Sequence, residues 1–290
     1  MTAIQIEHLQ KRYGQSIGTQ DVTFSVVAGE LFGFVGPNGA GKSTTLKILM
    51  GLIFPDGGSA AICGLDAVRE SRRIKTFTGY VPADVRLYPA MRVGELLRRN
   101  AGFYEGDITA ETARLSALFG LDAGKRFSTL STGNKKKVSI ACALAPQPKV
   151  IILDEPTSGL DPVMQRTLFE ELKRQTARGA TVLLSSHNLA EVQEYCRRVA
   201  FIRDGRILTV ADLAEAAAPR KVITALGGGE APVGLELVSA AEEGRRVFRT
   251  ALSGDGLLEA LAILAPDDFT VAHESIEERF WSLYGGEEQP

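Results

Sequence analysis

The sequence predicts an α/β fold: a mainly parallel core sheet, an antiparallel β element at the N-terminus, an inserted helical subdomain and a small C-terminal α+β domain. Two observations carry the core. The runs "ELFGFVG", "KVIILDE" and "ATVLLSSH" are short and continuously apolar, as strands buried on both faces are. Helical patterns lie between them, notably Lys42 to Leu52 and Val163 to Arg178, which is the alternation a parallel sheet needs. A third observation marks the second domain: from about Lys221 the composition shifts toward glycine.

Taken in order, Ile4 and Ile6, then Val22, Phe24 and Val26, alternate with polar residues as half-buried strands do, giving the N-terminal antiparallel element. Residues 71–145 are more helical in character, interrupted at Pro82, Pro89 and Gly106, and form the inserted subdomain. "VAFIRDGRILTV" reads as a hairpin turning at Asp204-Gly205. "ADLAEAAAPRK" reads as a short helix ended before Pro219. Strand-like "RRVFRTAL", helical "GDGLLEALAILA", strand-like "DFTVAHES" and helical "IEERFWSLYG" then build the domain at 221–290.

With 290 residues, 44% of them hydrophobic, the chain can bury a substantial core. A net charge of −2 gives no global attraction to nucleic acid, so no nucleic-acid partner is expected. The three cysteines, Cys63, Cys142 and Cys196, are odd in number and form no CxxC pair, so buried thiols in a reducing compartment are expected. "TAIQIEHLQKRY" after Met1 lacks the apolar core of a signal peptide, and no apolar run approaches the about 20 residues a membrane span needs. If the protein acts at a membrane, another subunit supplies the spans.

The stretch Gly36, Pro37, Asn38, Gly39, Ala40, Gly41, Lys42, Ser43 and Thr44 fits G-x-x-x-x-G-K-[ST] between a buried strand and a helix. Its glycines let backbone N–H groups converge on phosphates, Lys42 reaches the β- and γ-phosphates, and the Ser43 hydroxyl suits Mg²⁺. "VIILDEPTSGLDP" carries Asp154 to a strand end, where its carboxylate suits the metal. Glu155 follows, placed to polarise a water toward the γ-phosphate, and Asp161 with Pro162 closes a turn that could meet a partner subunit. His187 ends a third apolar run. All three runs thus deliver polar groups at their C-terminal ends, where ligands bind in open α/β sheets. His8 and His273 have no such setting and read as ordinary surface or packing residues.

In this order the pieces resemble the ATP-binding subunit of an ATP-binding cassette (ABC) transporter, over about residues 1–210. The resemblance implies a P-loop NTPase cassette at 1–215 with ATP and Mg²⁺ as cofactors. It implies that Tyr13 in "KRYG" stacks on adenine, that Gly36 to Thr44 holds the phosphates, and that Asp154 and Ser43 hold magnesium. Glu155 and His187 match the catalytic glutamate and the γ-phosphate histidine, and "SGLD" ending at Asp161 is the loop after them.

Two departures stand out. The family's glutamine falls at position 83, which is Ala83 here; Asp84 beside it is either a substitute or a surface carboxylate. The usual LSGGQ signature becomes Leu130, Ser131, Thr132, Gly133, Asn134. Ser131 can cap the following helix and Gly133 still lets backbone approach a phosphate, whereas Thr132 adds bulk where the family has glycine. The lysines that follow suit either phosphate or a solvated helix face.

The resemblance further implies a head-to-tail dimer, with a second copy or with a different cassette, in which Lys42, Ser43, Asp154, Glu155 and His187 of one cassette meet Ser131 and Gly133 of the other. It also implies a separate transmembrane permease and a peripheral place on the cytoplasmic face of a bacterial membrane. "GYVPADVRLYPAMRVGELL" and "ESIEERFWSLYGG" resemble the multidrug, daunorubicin-resistance and bacitracin-resistance type of exporter subunit. Leu87, Tyr88 and Met91 either line a groove for the membrane subunit or pack inside the helical subdomain. The alternative function is a soluble ABC ATPase acting on ribosomes or DNA; the absence of sustained heptads between phosphate loop and signature, and the single cassette, oppose it.

Overall fold

The computed structural model describes residues 1–104, 106–213, 221–241 and 244–273. Contacts divide the chain into two units, Met1–Leu213 and Ala214–Pro290.

In the first unit, β1 (Thr2–Tyr13) and β2 (Ser16–Val27) form the antiparallel element, and β4 (Gly57–Ile62) and the short β5 (Leu65–Asp66) extend it. Its inward residues are the expected ones: Ile4, Ile6, Val22, Phe24 and Val26 are all buried. The parallel core holds β3 (Leu31–Val35), β6 (Thr78–Val81), β7 (Val150–Asp154), β8 (Thr181–Ser186) and β9 (Arg198–Arg203) in the order β9-β3-β8-β7-β6. Each residue of β3, β7 and β8 is buried, which explains why these strands read as unbroken apolar runs. β10 (Arg206–Asp212) returns antiparallel to β9 and touches β2 at Arg206 and Asp21. The turn between β9 and β10 is Asp204-Gly205, both at positive φ as a tight hairpin demands.

Helix α1 (Lys42–Leu49) follows β3, α6 (Pro162–Ala177) follows β7 and α7 (Leu189–Tyr195) follows β8. Within 71–145 lie α2 (Ser71–Lys75), α3 (Val93–Ala101), α4 (Thr109–Leu118), a 3₁₀ turn at Phe127–Thr129 and α5 (Thr132–Leu144). The same stretch contains β6, whose pairing with β7 makes it the edge strand of the core sheet. The stretch 71–145 is therefore not wholly helical: α2 precedes β6, and α3 to α5 follow it. "TGYV" is too short for its period to separate it from a helix.

The second unit is an antiparallel sheet in the order β12-β13-β11-β14: β11 (Lys221–Leu226), β12 (Glu236–Ala240), β13 (Arg245–Thr250) and β14 (Asp268–His273). Helix α8 (Gly254–Leu264) contributes Leu257, Ala260, Leu261 and Leu264 to a core with Ile223, Ala225 and Phe248. β11 and β12 did not stand out in the sequence. Of the expected helix in "ADLAEAAAPRK", Ala211 and Asp212 instead end β10, because the pairing with β9 runs on to Asp212, and Lys221 opens β11; residues 214–220 lie outside the described residues, as do the expected helix in "IEERFWSLYG" and the matching tail "ESIEERFWSLYGG".

Candidate nucleotide site

The parallel register sets the three strand ends level. Val35 pairs with Ser186 across β3 and β8, and Asp154 pairs with Ser185 across β7 and β8. The loop before α1, the Asp154-Glu155 pair and His187 consequently emerge side by side.

The loop is shaped by contacts only glycine permits. A β-carbon on Gly36 would lie 2.1 Å from the Ile202 carbonyl oxygen of β9, and one on Gly41 would lie 2.3 Å from that of Gly18. Gly41, at φ 105°, caps α1 without any side-chain hydrogen bond, so the first N–H groups of that helix face the loop's concavity. Lys42 bends back under the loop and is buried. Its ammonium donates to the carbonyls of Gly36 (2.6 Å) and Pro37 (3.1 Å) and lies 3.2 Å from Glu155 Oε1. Ser43 and Thr44 start α1 half-buried beside it, while Pro37, Asn38 and Gly39 are exposed at the loop tip and Ala40 is buried.

Glu155 links two partners. Its other oxygen, Oε2, accepts from His187 Nδ1 at 2.8 Å, which places the imidazole proton on Nδ1 and turns Nε2 outward. The glutamate backbone is left-handed at φ 47°, a conformation costing roughly 1–3 kcal/mol in a non-glycine residue. A hydrogen bond from its N–H to Ser185 Oγ (3.1 Å) helps hold it there. The same hydroxyl donates to Asp154 Oδ1 at 2.8 Å. Asp154 is 0% exposed and, among the described residues, its Oδ2 has no hydrogen-bond partner. A buried carboxylate oxygen without a donor is costly unless a cation or water completes it, so this oxygen fits a hard divalent cation. Beside it, burial first and then the Asp154 charge raise the Tyr80 phenol above its ordinary pKa.

Tyr13 reaches the same region. Its Cε2 would lie 2.9 Å, and the Thr44 methyl 3.0 Å, from a β-carbon on Gly18, so ring and loop close over one bare spot on β2. Sequence reasoning passed over Gly18, though a glycine in a strand facing a tyrosine is itself a sign of close approach.

Ser131 and Gly133 lie elsewhere. Ser131 caps α5 by accepting from Asn134 N–H at 3.3 Å, and among the described residues no hydrogen bond joins either residue to 36–44. Asp161 likewise caps α6, accepting from Met164 N–H at 3.0 Å. Asp84 is exposed and paired with Arg86 Nε at 2.7 Å, a surface carboxylate in this structure. Tyr88 is exposed while Leu87 and Met91 are half-buried. The lysines after Asn134 are not one solvated face, for Lys136 is 1% exposed. Cys196 is buried as expected, but Cys63 is exposed.

A family model described as "ABC transporter" matches residues 19–158. The Nod factor export ATP-binding protein I of Burkholderia pseudomallei (strain 1710b) is 37% identical over 270 residues, covering 88% of this chain and 84% of that protein. The chain belongs to the ABC transporter ATP-binding proteins.

This ABC transporter ATP-binding protein also matches the probable multidrug ABC transporter ATP-binding protein YbhF of Escherichia coli (strain K12), at 36% identity over 212 residues. That match covers 71% of the chain but spans only 36% of YbhF's length. A solved ATP binding subunit of an ABC transporter shares the fold with a TM-score of 0.68 at 34% identity, covering 74% of this chain and 92% of that one. The ABC cassette carries the strand-end cluster described above, and among the described residues no helix is long and apolar enough to cross a membrane.

Proposed function

We propose that the protein binds Mg·ATP at the cluster around Lys42 and hydrolyses it to power a separate transmembrane permease, as an exporter subunit for drugs or other small hydrophobic compounds. The observation that carries this reading is the orphaned Asp154 Oδ2 beside the Lys42–Glu155–His187 chain of contacts. The export direction and substrate class rest on the resemblance of the chain and on the names of its relatives.

The loop N–H groups and Lys42 hold the phosphates, and Tyr13 supplies a ring for the base. Asp154 and Ser43 hold Mg²⁺, which when bound neutralises charge on the phosphates. Glu155, oriented by its Ser185-anchored backbone, positions the attacking water, and His187 steers the γ-phosphate. Ser131 and Gly133, which make no hydrogen bond to 36–44 among the described residues, meet the nucleotide of a second copy, with Asp161 near that contact. Such a head-to-tail dimer closes on ATP and reopens after hydrolysis, moving the permease at the cytoplasmic face of the membrane.

Replacing Glu155 with glutamine keeps shape and removes the charge. E155Q should nearly abolish hydrolysis while trapping an ATP-bound dimer, read by phosphate release and size-exclusion chromatography. Wild-type turnover in E155Q would overturn the catalytic assignment. A S131R variant should remain monomeric and inactive with ATP; normal hydrolysis would leave Ser131 as a helix cap alone.

A further inference from the structure

Lys136 sits in the run "KKK" yet is 1% exposed, and among the described residues no carboxylate oxygen hydrogen-bonds to its ammonium. Its ammonium instead donates to main-chain carbonyls of two separate segments. Ala83 O lies at 2.8 Å, Pro82 O at 3.0 Å and Glu155 O at 3.1 Å, which accounts for the three ammonium protons. Asp154 O stands at the outer limit, 3.5 Å. One side chain from α5 thus ties the segment after β6 to the turn after β7.

We infer that Lys136 is a positioning residue for ATP hydrolysis, holding the left-handed backbone of Glu155 in register with the Pro82–Ala83 segment and the start of α5. The inference rests on the reading of Glu155 under the proposed function. Two features make the tie specific. Glu155 occupies a conformation that its own side chain does not favour, so its carbonyl direction needs a partner; Lys136 is that partner on one side as Ser185 is on the other. Ala83 has no polar side chain, so residue 83 meets Lys136 through its main chain alone, and Lys136 takes that carbonyl.

The charge is not free to hold there. Burial pushes the Lys136 ammonium below the ordinary lysine pKa, opposed by the carboxylates of Asp154, Glu155 and Asp84. A leucine-like core residue would avoid that cost. Retaining the cation makes sense where four carbonyl dipoles must be gathered at one point.

The test compares K136M, which keeps length and loses the donors, with K136Q, which keeps two donors on a shorter arm, and with K137M as a control for charge on the same helix. Each variant is assayed for bound ATP per chain at saturation, for KM and for kcat. K136M should bind ATP with wild-type stoichiometry and a KM within about twofold, while kcat falls at least about tenfold. K136Q should lie between, and K137M should match wild type.

A merely structural lysine would instead lower kcat and bound ATP together, in proportion to folded protein, and that outcome overturns the inference. Wild-type kcat in K136M overturns it as well. Should K136M fail to fold, the same comparison is made with K136Q, where wild-type kcat, or a loss matched by bound ATP, is equally fatal. If the wild-type chain itself hydrolyses no ATP, the proposed function fails and the inference with it, a result distinct from either.

Discussion

Gly133 rests on Gly159: a β-carbon at 133 would lie 2.2 Å from the Gly159 carbonyl oxygen, and the Thr132 methyl flanks the same spot. The start of α5 and the loop after Glu155 are therefore in van der Waals contact within one chain. Thr132 turns its methyl toward that loop.

G133A should accordingly push α5 away from 157–161. Overpacking of this kind costs about 1–3 kcal/mol, and ATP hydrolysis should fall by at least about tenfold through displaced Ser131 and Glu155. Thermal unfolding and phosphate release read the two effects; unchanged hydrolysis would show that the contact can yield without reaching the site.

G18A tests the other glycine contact. An added methyl meets Tyr13 and Thr44 at once, and the flexible tyrosine is the one to yield. ATP affinity should weaken several-fold, about 1 kcal/mol, with kcat unchanged. Equilibrium binding of a fluorescent ATP analogue measures this, and an unaltered Kd would separate Tyr13 from the base.

Asp154 should govern metal dependence. D154N preserves the hydrogen bond from Ser185 Oγ but loses the anionic oxygen that has no donor. The Mg²⁺ concentration giving half-maximal hydrolysis should rise at least about tenfold, as ligand charge sets affinity for a hard cation. Chelation of Mg²⁺ should stop wild-type turnover. Equal Mg²⁺ titration curves for both proteins would place the metal elsewhere.

Stability should carry an acid limb set by the ion cluster between α4 and α6. Arg114 and Arg174 both pair with Glu111 and with Glu171, which is 3% exposed. Hydrogen bonding from Arg114 above all holds Glu111 below the ordinary glutamate pKa. For Glu171 burial pushes upward, but Arg174, Gln175 and Arg114 outweigh it and the net direction is again downward. Depressed folded-state values mean that this stability is complete above the ordinary glutamate pKa and vanishes as pH falls through the lower folded ones. E171A should cost about 2 kcal/mol at neutral pH by removing charge-assisted hydrogen bonds to the half-buried Arg114 and Arg174, and its denaturation midpoint should depend less on pH in the acid range.

Sequence pattern reached the central strands because β3, β7 and β8 are buried on both faces, leaving their polar ends as the visible exceptions. It reached Asp204-Gly205 because only such residues turn so tightly. It missed β6, β11 and β12, which are four to six residues long and lack an apolar run. It missed Lys136 for a different reason: a lysine's type announces solvent, and only the convergence of carbonyls from distant segments makes burial tolerable. Ser185 was hidden similarly, since its task depends on standing opposite Asp154 in the register.

The Asp204-Gly205 turn also fixes when the site can exist. Gly205 donates its N–H to the Ala40 carbonyl at 3.0 Å, and its own carbonyl accepts from Gln20 and Asp21. The phosphate loop is thus clamped by residues made long after it. During synthesis, residues 36–44 leave the ribosome well before this clamp, and closing so long a loop is slow. A nascent chain stopped before β10 lacks this clamp, and ATP should bind it more weakly than it binds the full cassette, as equilibrium binding of a fluorescent ATP analogue would read.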